Sequence, residues 1–273
     1  MRLLGAIAGD IIGSKYEFMR HAVKTKNFEL FPEDAYFTDD SVLTIALADS
    51  IINDVPYTEN LREYYKLYPD AGYGVKFREW CEDPTMKAYN SFGNGAAMRI
   101  SPVGYAYNDI DTVLKKSEEF TIITHNHPEG IKGAQATALS IFLARNNYPK
   151  SAIKSSIEKI FGYNLDPRLD DIRPTYKFDE SCQGTVPQSI IAFLESNDFE
   201  DAIRNAVSLG GDADTLACIT GSIAYAYYGE IPKHMVDKVY EKLDDRIITI
   251  IEDFDKYIDA GGYIDAGGYN ANI

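Results

Sequence analysis

Residues 198–228 read DFEDAIRNAVSLGGDADTLACITGSIAYAYY, and the architecture follows from how this stretch divides. Two helical runs, 198–209 and 215–228, are split by Gly210-Gly211, because paired glycines end a helix and leave the backbone free to turn. The second run opens on Asp212-Ala213-Asp214-Thr215, short oxygen-bearing side chains of the kind that satisfy free N–H groups at a helix start. Apolar residues recur at three- and four-residue intervals on both sides, with no strict alternation.

The same period holds elsewhere. Val42, Leu43, Ala46, Leu47, Ile51 and Ile52 trace one face of a helix beginning near Asp40. Ala134, Ala138, Phe142 and Leu143 trace another, and Ile190, Ile191 and Leu194 a third. Ile153, Ile157, Ile160 and Phe161 mark Lys150–Phe161, and Val236, Val239, Tyr240 and Leu243 follow Pro232, a residue suited to a helix start. Segments 70–76, 84–96 and 163–185 are rich in Gly, Pro and Asn and read as loops. Strand-like alternation is missing, so the expectation is one all-α domain. Gly5, Gly9 and Gly13 leave a strip without side chains on the first helix, which points to close packing against another helix. The hexapeptide Tyr257–Gly262 recurs as Tyr263–Gly268, and we expect a domain over 1–256 with a short Gly/Tyr-rich tail over 257–273.

The chain has 273 residues with 27 Lys+Arg and 42 Asp+Glu, a formal charge of −15. Such a balance argues against nucleic-acid backbones and anionic membranes as partners, since both demand a cationic face. An anionic small molecule stays admissible, because a bound metal reverses the field locally. Cys81, Cys182 and Cys218 lack metal-ligand spacing and read as reduced thiols. The apolar run at the N-terminus is short and interrupted by Asp10, so neither a membrane span nor a signal peptide is expected. A soluble cytoplasmic protein, monomeric by default, is the expectation.

Phe37-Thr38-Asp39-Asp40-Ser41 and Gly210-Gly211-Asp212-Ala213-Asp214-Thr215 each place two carboxylates and a threonine at a helix start. Capping explains one acid at each place. It leaves the second without a reason, since close like charges repel unless a cation or proton intervenes. Four carboxylates and two hydroxyls are hard oxygen ligands that suit Mg²⁺ or Mn²⁺ rather than zinc, and convergence of the two loops would make a two-metal site. The phosphatase DxDx[TV] and prenyl-transfer DDxxD patterns do not fit: Asp212 and Thr215 are three apart after a helix, and Ser41-Val42-Leu43 supply no third acid. Asn90–Arg99 is a glycine-punctuated loop, read either as a simple turn or as a cradle for an anion. Thr124-His125-Asn126-His127-Pro128 announces a helix and reads as capping or the polar lip of a ligand site rather than a metal site. Glu17 reads as a charge on a loop after the glycine-striped helix.

Taken together, Gly9-Asp10 with Gly13-Ser14-Lys15-Tyr16-Glu17, Phe37–Ser41, Tyr89–Arg99, Thr124–His127 and Leu209–Thr215 resemble the ADP-ribosylglycohydrolase family, with the motifs in the family's order from residue 5 to about 229. That family includes the glycohydrolase that reactivates dinitrogenase reductase and eukaryotic ADP-ribosyl-acceptor hydrolases. The resemblance implies a single orthogonal multi-helix bundle with a cleft at helix N-termini holding two Mg²⁺ or Mn²⁺ ions. It assigns Thr38, Asp39 and Asp40 to one ligand group and Asp212, Asp214 and Thr215 to the other. Glu17 matches a glutamate that closes over the substrate ribose. Ser91, Phe92, Gly93, Asn94 and Gly95 match the loop around the diphosphate and distal ribose, and His125 a histidine beside ADP-ribose.

The implied reaction is hydrolysis at C1″ of an ADP-ribosylated protein or small molecule, releasing ADP-ribose, with Glu17, Asp39 and Asp212 as candidate catalytic carboxylates. A catalytically silent ADP-ribose-binding regulator and an immunity protein reversing a toxin's ADP-ribosylation stand as alternatives. Asn90-Ser91 departs from the aspartate that the dinitrogenase-reductase member carries before Gly-Asn-Gly, so arginine-linked substrates do not transfer directly. With two divalent ions bound the formal total becomes −15 + 4 = −11, and the field inside the cleft is set by the metals.

Overall fold

A computed structural model describes residues 1–17 and 21–262. Among the described residues there are fifteen helical segments and no β-strand, only an isolated bridge between Gly93 and Ser181. The first half comprises α1 (Leu4–Ser14), α2 (Asp39–Asn53), α3 (Tyr57–Leu67), α4 (Val75–Glu82), α5 (Gly95–Met98), α6 (Ser101–Ala106) and α7 (Ile110–Thr121). The second comprises α8 (Pro128–Arg145), α9 (Lys150–Phe161), α10 (Leu169–Ile172), α11 (Cys182–Leu194), α12 (Phe199–Val207), α13 (Ala213–Tyr228), α14 (Lys233–Tyr240) and α15 (Asp245–Asp259).

α13 is the axis of the molecule. Every residue from Ala213 to Ala224 is buried, and α1, α8, α11 and α12 pack on its different sides. A helix apolar all round belongs inside, and α1 is another: Leu4 through Ser14 are all buried. The Gly5, Gly9 and Gly13 strip faces α13 so closely that a Cβ on Gly9 would lie 2.7 Å from the Cys218 amide nitrogen, and one on Gly13 2.6 Å from the Ala213 carbonyl carbon. The expected close packing is thereby met, backbone against backbone. The outer helices are amphipathic: α15 buries Ile247, Ile251, Phe254 and Ile258 against α2 and its surroundings.

Helix starts follow local chemistry. Asp198 accepts from the Asp201 amide at 2.8 Å to open α12, and Asp244 accepts from the Ile247 amide at 2.9 Å to open α15. The His127 imidazole Nδ1 accepts from the Glu129 amide at 3.1 Å and starts α8 at Pro128, a capping role. Gly229, at φ 74°, ends α13 in the left-handed conformation that favours glycine.

Several boundaries differ from the periodicity reading: α4 starts at Val75 and α5 at Gly95, each just inside an expected loop. The expected loop 163–185 contains α10 and the first turn of α11, which Ser181 caps by accepting from the Gly184 amide at 3.1 Å. Gly184 and Pro187 mask that start in the sequence, because neither suits a helix interior. The boundary drawn before Tyr257 cuts the last turn of α15, where Ile258 is buried. The second copy of the hexapeptide, Tyr263–Gly268, lies outside the described residues. All three cysteines are free and buried. No helix among the described residues is long and apolar enough to cross a membrane.

Candidate metal and substrate cleft

The α1–α13 contact and the start of α2 bring the two acidic loops together. A cavity of about 560 Å³ is lined by Glu17, Asp39, Asp40, Asp212, Asp214 and Thr215. Ser91, Gly93, Asn94, Gly95, Arg99 and His125 line the same cavity. Carboxylate oxygens of Asp10, Asp40 and Asp214 lie within 4.8 Å of one another, as do those of Glu17, Asp212 and Asp214. Asp214 is common to both groups, so two clusters of acids lie side by side rather than one.

Asp10 was read in the sequence only as a break in an apolar run and as part of a motif. It is fully buried, and its two oxygens accept four hydrogen bonds: from the Thr38 amide (2.9 Å) and hydroxyl (2.7 Å), the Ser41 amide (3.1 Å) and the Ser41 hydroxyl. A carboxylate offers about four lone-pair sites, so Asp10 is saturated. Its task is to hold the first turn of α2 and to turn the Thr38 and Ser41 hydrogens away from the cleft. An acid inside an otherwise apolar helix was the available signal.

Asp40 presents the opposite case. Its Oδ2 accepts from the Thr215 hydroxyl at 3.3 Å, while its Oδ1 is buried with no hydrogen-bond partner. An orphaned anionic oxygen carries a penalty of several kcal/mol unless a cation or proton meets it. Burial, reinforced by Asp214 and Asp10, pushes Asp40 well above the usual carboxylate range. Burial does the same to Asp214, with Asp212 the leading neighbour, and to Asp39. Asp10 and Asp212 rise to about 6, chiefly through burial, and Glu17 to about 8 through burial followed by the charges of Asp214, Asp10 and Glu180. A set of hard oxygens this crowded fits divalent cations.

Asp39 lines the cavity but belongs to neither tight group; its backbone N–H donates to Ala71 at 2.7 Å. Thr38 stands behind the acids with its hydroxyl hydrogen committed to Asp10, leaving lone pairs for a ligand or for the Asp40 amide. Thr215 lines the cavity beside Asp40.

The Gly-Asn-Gly loop is tied to this cluster. Asn94 donates from Nδ2 to Asp212 Oδ2 at 2.6 Å and to Thr185 Oγ1 at 3.1 Å. The Asn94 amide donates to the Glu180 carbonyl at 2.7 Å, and the Cys182 amide to the Phe92 carbonyl at 2.9 Å. The Gly93 amide instead takes Ser91 Oγ at 3.1 Å. Phe92 faces outward, half exposed, with its ring 5.3 Å from that of His127. His125 is buried, and burial beside Arg99 holds its imidazole well below its usual pKa, hence neutral. Sequence reasoning did not single out Arg99, Tyr73, Phe178 or Glu180, which also line the cavity. Tyr73 and the pair Phe178 and Glu180 come from segments with no motif, and Arg99 ends the Tyr89–Arg99 motif without a spacing that marks its own role.

A family model described as ADP-ribosylglycohydrolase matches residues 2–262. The chain is 27% identical to ADP-ribosylhydrolase ARH3 of Homo sapiens, covering 83% of this chain and 84% of that protein. It is 27% identical to ADP-ribosylarginine hydrolase Tri1 of Serratia proteamaculans, covering 92% of this chain and 76% of that protein. A solved structure titled ADP-ribosylglycohydrolase-related protein complex superposes with a TM-score of 0.70 at 25% identity, over 94% of this chain and 95% of that one.

Proposed function

The chain belongs to the ADP-ribosylglycohydrolase family, and on that premise we propose that it is a divalent-cation-dependent hydrolase that cleaves the glycosidic bond at C1″ of ADP-ribosylated acceptors and releases ADP-ribose. Glycosidic-bond hydrolysis is the activity that family and relatives indicate. The observation that carries the metal dependence is the pair of buried acid groups sharing Asp214, with Asp40 Oδ1 left unpartnered beside them.

Two Mg²⁺ or Mn²⁺ ions held by Thr38, Asp39, Asp40, Asp212, Asp214 and Thr215 would supply Lewis acidity and lower the pKa of a water at the ribose. The remaining work falls to the chain's own groups. Asp10 keeps the first turn of α2 in place and orients the Thr38 hydroxyl. Asn94 fixes the Asp212 carboxylate and ties it to the substrate loop. Positive charge develops at C1″ as the acceptor leaves, and an adjacent carboxylate stabilises it. Glu17, Asp39 and Asp212, which all line the cavity, are the carboxylates we assign to that role. Ser91, Gly93, Asn94, Gly95 and His125 form the wall that would receive the diphosphate and distal ribose.

The test is a panel of acceptors ADP-ribosylated on arginine, on serine and on a nucleic-acid base, together with O-acetyl-ADP-ribose, assayed with Mg²⁺, with Mn²⁺ and with EDTA. Release of ADP-ribose from at least one acceptor, lost in EDTA and restored by a divalent ion, is expected. D39A and D212A should lose nearly all activity with unchanged helical circular dichroism. Undiminished turnover by either variant in metal-free buffer refutes the two-metal reading.

A further inference from the structure

Arg99 is among the largest fully buried side chains, 2% exposed, and no carboxylate pairs with it among the described ion pairs. Its guanidinium instead ends on two neutral groups. Nη2 donates to Thr124 Oγ1 at 2.6 Å and lies 3.3 Å from His125 Nδ1, while Thr124 Oγ1 is 2.8 Å from the same Nδ1. A guanidinium has only donors to offer, so Nδ1 faces it as an acceptor. The Thr124 oxygen already accepts from Arg99, which leaves its hydrogen for Nδ1 as well. A buried imidazole beside a cation does not take a second proton, and its one proton therefore sits on Nε2.

Nε2 points at the substrate loop. A Cβ placed on Gly95 would meet it at 3.3 Å, and one on Gly93 at 3.6 Å. Among the described residues no hydrogen bond engages Nε2, although His125 is 6% exposed and lines the cavity. Side chains on both glycines would cover it. Their absence leaves the donor open to whatever the loop holds.

We propose that Arg99 and Thr124 are positioning residues that lock His125 as the neutral Nε2–H tautomer, so that its Nε2–H donates to a phosphate oxygen of the diphosphate in the bound substrate. The ligand chemistry rests on the proposed function; the tautomer rests on the protein alone. The cation of Arg99, buried on the Nδ1 side of the ring with no carboxylate partner among the described ion pairs, strengthens the donor and favours an anionic acceptor. Arg99 acts through His125 and does not need to touch the ligand.

The experiment is two-bond ¹H–¹⁵N correlation of the Mg²⁺-loaded enzyme labelled with ¹⁵N-histidine, with His125 assigned by its loss in H125F. The expected result in the wild type is a protonated Nε2 and an unprotonated Nδ1. Addition of ADP-ribose or ADP shifts the Nε2–H resonance, and adenosine leaves it in place. In R99M/T124V the two tautomers mix, and ADP-ribose binds about tenfold to a hundredfold more weakly; T124V alone gives a smaller change in the same direction if the double variant does not fold. A protonated Nδ1 in the wild type, or an unchanged Nε2–H tautomer in the variants, overturns the lock. An equal shift with adenosine overturns the phosphate assignment. Failure of ADP-ribose to perturb any resonance refutes the proposed function instead, and the tautomer pattern is still read in the free enzyme.

Discussion

Replacing Gly9 by alanine sets two effects of opposite sign against each other. In a helix judged by propensity alone, Gly→Ala stabilises by about 1 kcal/mol. In this structure the new Cβ would lie 2.7 Å from the Cys218 nitrogen, and nearer still to the Ala217 carbonyl, both backbone atoms of α13. Ordinary contact begins near 3.4 Å, so α1 and α13 must part by at least about 0.7 Å (3.4 − 2.7) with no side chain able to yield. Overpacking of this kind costs about 1–3 kcal/mol. Because the obstruction is a helix backbone, the upper end applies, and the net loss is about 2 kcal/mol after the propensity gain. That corresponds to a melting temperature lower by roughly 4–8 °C.

The same displacement reaches the cleft, since α1 carries Asp10 and α13 carries Asp214 and Thr215. Metal sites tolerate about 0.2 Å, so the Mg²⁺-induced gain in melting temperature should shrink as well. The assay is thermal unfolding of G9A and wild type in EDTA, then in Mg²⁺, with G74A as the control. A Cβ on Gly74 meets nothing within 4 Å, and the loss of a glycine N-cap on α4 should cost under about 1 kcal/mol, less than G9A. An equal or higher melting temperature for G9A in EDTA would refute the idea that the glycine strip sets the α1–α13 spacing.

Other outcomes follow from the same geometry. D10N keeps the shape of the side chain but places an amide against the Thr38 and Ser41 donors, so activity should fall about tenfold to a hundredfold with only partial loss of Mg²⁺ affinity; wild-type turnover would show that Asp10 does not position α2. Burial raises Asp10 and Asp212 to about 6 and Glu17 to about 8, and groups with a raised folded pKa lose their stabilising proton as pH rises. Cation-free protein should therefore melt at a lower temperature at pH 8 than at pH 5, with Mg²⁺ flattening the slope and E17Q reducing its upper part; a slope unaffected by Mg²⁺ would contradict this. N94A frees Asp212 Oδ2 and unties the loop from the acid cluster, so KM should rise more than kcat falls, and a pure kcat effect would count against a substrate-loop role.

Much of this was legible in the chain before any coordinates. Helical period in segments such as 42–52 and 150–161, and the oxygen-rich helix starts at Thr38 and Asp212, are local properties. They depend on neighbours within one turn, so the sequence states them directly. The start of α11 was hidden because Gly184 and Pro187 oppose a helix locally, and packing against α13 and α8 overrides them.

The glycine strip showed that a helix must approach, but not which one. Only the tertiary structure decided that α13 is the partner and that the approach brings Asp10, Asp40 and Asp214 within 4.8 Å. The saturation of Asp10, the orphaned oxygen of Asp40 and the tautomer of His125 are likewise matters of which atoms meet across the fold. The sequence by itself determined an all-helical chain carrying two acidic helix starts. Convergence of those starts depends on long-range backbone contact, and that contact turned two capping motifs into one charged cleft.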